Sequence, residues 1–253
     1  MNTRADRERK AYDEDNVYDV SHKWHSRFRH VFECPNTLRH EHFFEEILRT
    51  HAKGNRVLDI GCGKGDTSRI IYAFGPRFVR GIDVSKSFIA EAKKQEEIGH
   101  LEFSLQDVAS PMEGIYDFIV GRAILHHLDY RLVLRNLYEK NLSPGGTMVF
   151  MEPLGSSVLI RAYQAISKSA HTPDERSFKR EDIRWLRKNF RDAMIVPFNW
   201  LSLPVGIVST LVFSNADNFA TRLADSVDTF AARHAPFMML SFRQAILIIR
   251  KAD

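Results

Sequence analysis

Cysteine is almost absent. Only Cys34 and Cys62 occur in 253 residues, too few for a disulfide framework, so the composition points to a reducing, cytoplasmic setting. Long apolar runs are missing as well. The longest, Leu201 to Phe213, spans thirteen residues, whereas a helix crossing a bilayer needs about 20. The N-terminal stretch MNTRADRERKAYDEDN carries charge with no apolar segment behind it, which is not the pattern of a secretory signal. No internal repeat or low-complexity tract appears. Excess charge is small, 36 Lys and Arg against 32 Asp and Glu, and it is local. Residues 161–191 hold nine basic and four acidic side chains, a patch that suits a solvated helix face or an anionic substrate, lipid headgroup or RNA.

What is present is a globular composition, 44% apolar and 27% charged, with the length of one large α/β domain. Residues 1–53 read as helices around polar loops, with Leu38, Phe43, Phe44, Ile47 and Leu48 on one apolar face. From Arg56 the texture changes to short apolar runs alternating with helical patterns. Strands are expected at Arg56–Ile60, Phe78–Asp83, Leu101–Leu105, Tyr116–Val120 and Thr147–Met151, and helices at Asp66–Phe74 and Ser85–Glu97, with Ser85 as N-cap. Such alternation builds a mostly parallel sheet covered on both faces. Two further strands, Met194–Phe198 and Ala245–Ile249, enclose the apolar run and a helix with Phe219, Leu223, Val227 and Phe230 on one face. That spacing implies an inserted lid.

The most informative segment is Val57-Leu58-Asp59-Ile60-Gly61-Cys62-Gly63-Lys64-Gly65-Asp66. It leaves a strand and opens a helix, the context of a glycine-rich cofactor loop. Gly61 and Gly63 allow a sharp turn and a close backbone approach. Asp66 stands where a dinucleotide fingerprint has its third glycine, and the carboxylates of Asp59 and Asp66 disfavour a pyrophosphate. A ligand bearing an ammonium and a sulfonium suits them better, which favours S-adenosylmethionine. Asp83 ends the second strand, where a carboxylate accepts from ribose hydroxyls. Gln106-Asp107-Val108 follows the third strand, where an acidic side chain meets an adenine amino group. Tyr116-Asp117-Phe118-Ile119-Val120 runs into Gly121-Arg122-Ala123-Ile124-Leu125-His126-His127-Leu128, and Leu142-Ser143-Pro144-Gly145-Gly146-Thr147 makes a tight turn.

The order and spacing of these five elements, over Arg56 to Glu152, resemble the class I S-adenosylmethionine-dependent methyltransferases, in the branch with ubiquinone and menaquinone methyltransferases. The resemblance implies a Rossmann-like, doubly wound sheet of seven strands with one antiparallel strand, here Ala245–Ile249. It implies a single domain over 1–253: an N-terminal helical cap (1–53), a cofactor-binding core (54–155), then substrate-side helices, a lid and the last two strands (156–253). It also implies cofactor contacts from Asp59, Gly61, Cys62 and Gly63 at the methionine end. Asp83 and Val84 would serve the ribose, Gln106, Asp107 and Val108 the adenine, and the backbone of Arg122 and Ala123 the sulfonium. Lys86 replaces the proline usual in that branch. An N-terminal helix in this fold often closes over the cofactor, which gives weight to Tyr12, Tyr18, Trp24 and Arg27.

Three residues are candidate catalytic groups. His126 and His127 follow the fourth strand, at the sheet edge where substrates bind, and a neutral imidazole there accepts a proton. His127 is the preferred base; the plainer alternative is that one histidine packs and the other caps. Glu152 leaves the fifth strand and either orients an acceptor group or acts as a base, or else serves as a structural acceptor for loop amides. Arg161, Tyr163, His171 and Arg176 rank second. Six of eleven histidines, among them His22, His25, His30, His40 and His42, lie in the first 56 residues, but no ligand spacing completes a metal site, and none is expected. The acceptor is expected to be a small, largely apolar molecule against the Leu201–Phe213 run, with possible transient membrane-surface contact and no nucleic acid. An RNA methyltransferase, or a protein using the same pocket for other chemistry, are the rival readings.

Overall fold

A computed structural model describes residues 3–14, 25–94, 99–154 and 176–253. Seven strands form one sheet: β1 (Arg56–Ile60), β2 (Phe78–Asp83), β3 (Leu101–Leu105), β4 (Tyr116–Arg122), β5 (Leu142–Pro153), β6 (Met194–Phe198) and β7 (Gln244–Arg250). Their order is β3-β2-β1-β4-β5-β7-β6. The pairs among β1 to β5 are parallel, and β7 runs antiparallel to both β5 and β6. The antiparallel strand is last in the chain but second from the sheet edge.

Strand side chains alternate between two apolar layers. Val57, Val79, Phe118, Val120 and Val149 face Phe44, Leu48 and Ala52 of the helix Pro35–Ala52, with Ile71, Ile89 and Ala92 from the helices Asp66–Ala73 and Lys86–Lys93. Leu58, Ile60, Ile119, Met148 and Phe150 face Val133 and Leu134 of the helix Tyr130–Asn136, and Ile183 and Leu186 of the helix Arg180–Asn189. Each fully buried aliphatic side chain contributes about 1.5–3 kcal/mol. The site chemistry is carried by loops at the carboxyl edge of β1 to β5, the usual ligand edge of such sheets.

The apolar run folds as the helix Ser202–Val212, and its position differs from the expected lid. Its inner face packs on the helix Arg29–Glu33, where a Cβ on Gly206 would come within 2.9 Å of the Val31 Cα. Its outer face leaves Val208 58% and Leu211 78% exposed, and none of it lines the main cavity. The helix Phe219–His234 is likewise turned the other way from its apolar periodicity. Phe219, Leu223 and Phe230 face solvent, while Thr221, Ala224, Asp228 and Ala231 are buried. Polar contacts set this orientation: the Asp228 carboxylate accepts from the N–H groups of Trp200, Leu201 and Ser202 at 2.7–3.1 Å. Leaving those donors unpaired would cost about 1–3 kcal/mol each.

His40 is sealed beside this layer. Its ring stacks on Phe198 at 4.5 Å, and Nδ1 lies 2.7 Å from the Asn36 carbonyl. Burial pulls its pKa down from 6.5 to about 4. The unfolded chain therefore binds an extra proton between those values, so stability is full above about 6.5 and falls as pH drops toward 4. The wild-type melting temperature should decline more steeply across this window than that of His40→Leu, a difference worth up to ~3 kcal/mol. Parallel melting curves over that range would show it; identical slopes would remove His40 as the cause.

Candidate active site

The loops after β1, β2, β3 and β4 converge with the N-terminal helix Arg4–Asp13 on one cavity of about 510 Å³. The first loop turns at Gly61 (φ +66°) and Gly63 (φ +55°), a region that side chains adopt only with strain. A Cβ on Gly61 would lie 2.6 Å from Ile124, whereas one on Gly63 would meet nothing nearer than Phe88 at 4.0 Å. The loop is thus packed from below at Gly61 and open toward the cavity at Gly63. Asp83 ties this loop to the next element. One carboxylate oxygen accepts from Gly63 N–H at 2.9 Å and the other from Ser85 N–H at 2.8 Å. Burial raises its pKa against these hydrogen bonds.

Of the sequence-predicted cofactor residues, Gly61, Gly63, Asp83, Val84, Gln106, Asp107, Val108, Arg122 and Ala123 all line the cavity. Asp107 accepts from Ala109 N–H at 2.9 Å, and Gln106 is held by Arg80 at 3.2 Å. Ala123 has φ +53° and donates its N–H to the Met151 carbonyl at 2.8 Å. This costly backbone turn presents its edge to the cavity. Arg122 pairs with Glu41.

Asp59 and Cys62 do not line it. Asp59 is buried behind the loop, accepting from Ser68 Oγ at 2.6 Å. Desolvation, with the nearby Asp83 charge adding to it, pushes its pKa up to about 7. Cys62 is buried with its Sγ 3.0 Å from where a Gly81 Cβ would sit. These two residues shape the loop from its far side.

The catalytic candidates separate in the same way. Glu152 accepts from the N–H groups of Ile124 and Leu125, both at 2.9 Å, and its other oxygen lies 2.8 Å from His126 Nδ1. Its oxygens thus serve as acceptors for the loop amides that form the turn Leu125–His127. His126, held by Glu152, also stays behind the cavity wall. His127 faces in. Its Nδ1 lies 3.0 Å from Glu8 Oε2 and its Nε2 lies 3.4 Å from the Tyr12 hydroxyl.

Glu8 went unrecognised in the sequence. It sits in a charged helical stretch, RADRERKAYD, where nothing distinguishes it from a solvated residue, yet it is 5% exposed. Its helix is fastened over the cavity at three points. Arg4 donates to the His126 carbonyl at 3.1 Å, Arg9 donates to the Val84 carbonyl at 3.0 Å, and Asp13 accepts from Ser85 and Ser87 hydroxyls at 2.5 and 2.6 Å. Tyr12 thus fills the expected N-terminal aromatic position, and its ring meets Phe88 at 5.7 Å. Arg27 stacks on Phe28 instead and does not line the cavity. Tyr18, Trp24, His22, Arg161, Tyr163 and His171 lie outside the described residues. Among the described residues no cluster of His, Cys, Asp and Glu has the arrangement of a metal site.

A family model described as a methyltransferase domain matches residues 24–191. The ubiquinone biosynthesis O-methyltransferase of Nitrosococcus oceani is 30% identical over 112 residues, 42% of this chain and 47% of that protein. The chain spans about half the length of the curated relatives it matches. Among solved structures, the geranyl diphosphate C-methyltransferase of Streptomyces coelicolor, bound to Mg2+, geranyl diphosphate and S-adenosyl-L-homocysteine, superposes with a TM-score of 0.58. It is 14% identical, over 85% of this chain and 81% of that one. The Haemonchus contortus phosphoethanolamine N-methyltransferase 2 bound to S-adenosyl-L-methionine gives 0.54 at 19% identity, over 82% and 52%. At these identities the two structures speak for the fold. With the family match over residues 24–191, about two thirds of its length, the chain belongs to the methyltransferase-domain family.

Proposed function

We propose that this protein transfers the methyl group of S-adenosylmethionine to an ionisable atom, most simply a hydroxyl oxygen, of a small acceptor. The observation that carries the reading is the shared cavity. The Gly61–Gly63 loop, Asp83 and Asp107 line one part of it, and His127 with Glu8 lines another. The opening above Gly63, where a Cβ would find space, fits close approach by a ligand. Asp83 would hold the ribose hydroxyls, Asp107 with Val108 and Ala109 the adenine, and the strained backbone at Ala123 the region of the sulfonium.

When bound, S-adenosylmethionine supplies a methyl group already activated on a sulfonium. The residues of this chain then have two tasks, alignment and proton removal. Alignment comes from loops locked by buried hydrogen bonds, and positioning of this kind is where most of the rate gain of such reactions arises. Proton removal falls to His127. The Glu8 carboxylate facing Nδ1 favours the tautomer protonated there, which makes Nε2 the nitrogen that accepts a proton from an acceptor hydroxyl. Tyr12 lies too far from Nε2 for a strong competing bond. The N-terminal helix excludes water above the cavity. Val84, Phe88, Val108, Ile124 and Leu128 supply apolar wall, which supports an acceptor with apolar character.

Calorimetry tests the first half of the proposal. The full chain should bind S-adenosylmethionine or S-adenosylhomocysteine at micromolar strength or tighter, about 8 kcal/mol. Folded protein that gives no heat with either ligand would overturn it.

A further inference from the structure

The basic excess that the sequence places in residues 161–191 is not used by the cavity, and part of it forms a second concave surface. Arg180, Arg184 and Arg187 lie at positions i, i+4 and i+7 of the helix Arg180–Asn189, on one side of it. Opposite them runs the short turn Pro236–Ser241, and the two enclose a groove of about 220 Å³. Its floor is apolar, made by Ile183 and Met239, with Leu240 and Phe237 along the rim. Phe237 is 79% exposed.

Among the described residues no carboxylate lines this groove. The two acidic residues of the same helix are occupied elsewhere: Glu181 pairs with Arg176, and the buried Asp182 pairs with Arg131 and Arg176. Three like charges are therefore held in a row with no compensating carboxylate among the described residues, next to an exposed aromatic ring. A folded chain gains nothing internally from that arrangement. Charge complementarity calls for several phosphates, and the apolar rim and floor call for hydrocarbon beside them. Both are met by an anionic bilayer, with arginines at the headgroups and Phe237 at the acyl boundary.

The groove also lies at the functional edge of the sheet. Phe178 bridges to Leu154 just past β5, and the turn Pro236–Ser241 leads into β7, where Gln244 pairs with Pro153. Four residues before Arg180, the groove's first arginine, the Arg176 N–H donates to the His126 carbonyl at 2.9 Å, next to the cavity-lining His127. A bilayer seated here would lie on the acceptor side of the molecule.

We propose that the groove between the helix Arg180–Asn189 and the turn Pro236–Ser241 docks the protein on an anionic membrane surface. The inference stands apart from the identity of the methyl acceptor. Sedimentation of the full chain with phosphatidylcholine vesicles, with and without phosphatidylglycerol, tests it. Vesicles containing phosphatidylglycerol should retain the chain at least ~10-fold better, and added salt should weaken retention. The double variant Arg184→Glu/Arg187→Glu should lose that preference, with retention on the two kinds of vesicle equal to within about 2-fold. Phe237→Ser should lower the retention that survives at high salt. Melting curves and the calorimetric heat with S-adenosylhomocysteine should match wild type in both variants, which separates failure of docking from failure of the cofactor reading. Equal retention on both vesicles, or unchanged binding in the double variant, overturns the proposal. So does an RNA hairpin that binds the wild type, displaces it from vesicles and is lost in the same double variant, since the groove would then serve nucleic acid.

Discussion

Asp83→Asn should bind S-adenosylmethionine about 10–100-fold more weakly than wild type, with a melting temperature only slightly lowered. The carboxylate now accepts from Gly63 and Ser85 N–H groups, and under the proposed function it also accepts from the ribose. Charge-assisted hydrogen bonds of this kind are worth roughly 1.5–3 kcal/mol, which is the stated range of affinity loss. Asparagine keeps the shape and one carbonyl acceptor, so the loop retains part of its support. Burial already opposes the charge on Asp83, and its removal returns some stability while withdrawing the ligand's best acceptor. Asp59→Asn provides the contrast. That residue lies behind the loop with its pKa pushed up to about 7, so neutralising it should leave cofactor affinity within a few fold. Calorimetry on the two variants side by side would decide the assignment. Equal losses would mean the two carboxylates act only through the loop's shape.

Much of the architecture is written locally. β1, β2 and β3 are short apolar runs bounded by turn residues, and a strand needs little beyond that. The loop at Gly61 and the acid at Asp83 are separated by one strand–helix–strand unit, so their meeting follows from the right-handed crossover. Ser85 does cap its helix, accepting from Phe88 N–H at 3.1 Å. What was not legible depends on contacts between distant segments. The outward orientation of Phe219–His234 cannot be read from its apolar periodicity, because Asp228 turns the opposite face inward by satisfying three backbone donors at once. Glu152 looked like a base because its role as a fourfold acceptor requires knowing that the Ile124–His126 amides fold back onto β5. Glu8 is the hardest case. Its partner His127 is more than a hundred residues away, and a glutamate within a charged helix has no local mark of burial.

That buried glutamate gives the sharpest test of the chemistry. Glu8→Gln should lower kcat by roughly 10–100-fold, within the range that general base catalysis contributes, while changing the affinity for S-adenosylhomocysteine little. Glutamine fills the same space and still offers a carbonyl to Nδ1, so the imidazole keeps its place and loses only the charge beside it. Rescue carries the distinguishing sign. Glu8→Asp, which keeps the charge beside the ring but shortens its reach, should recover part of the rate, and the loss in Glu8→Gln should fall on kcat with KM little changed. A purely structural Glu8 predicts another outcome, with melting temperature and rate falling together. An acceptor that reacts without losing a proton would leave the rate of Glu8→Gln near that of wild type, and the base assigned to His127 would fall with it.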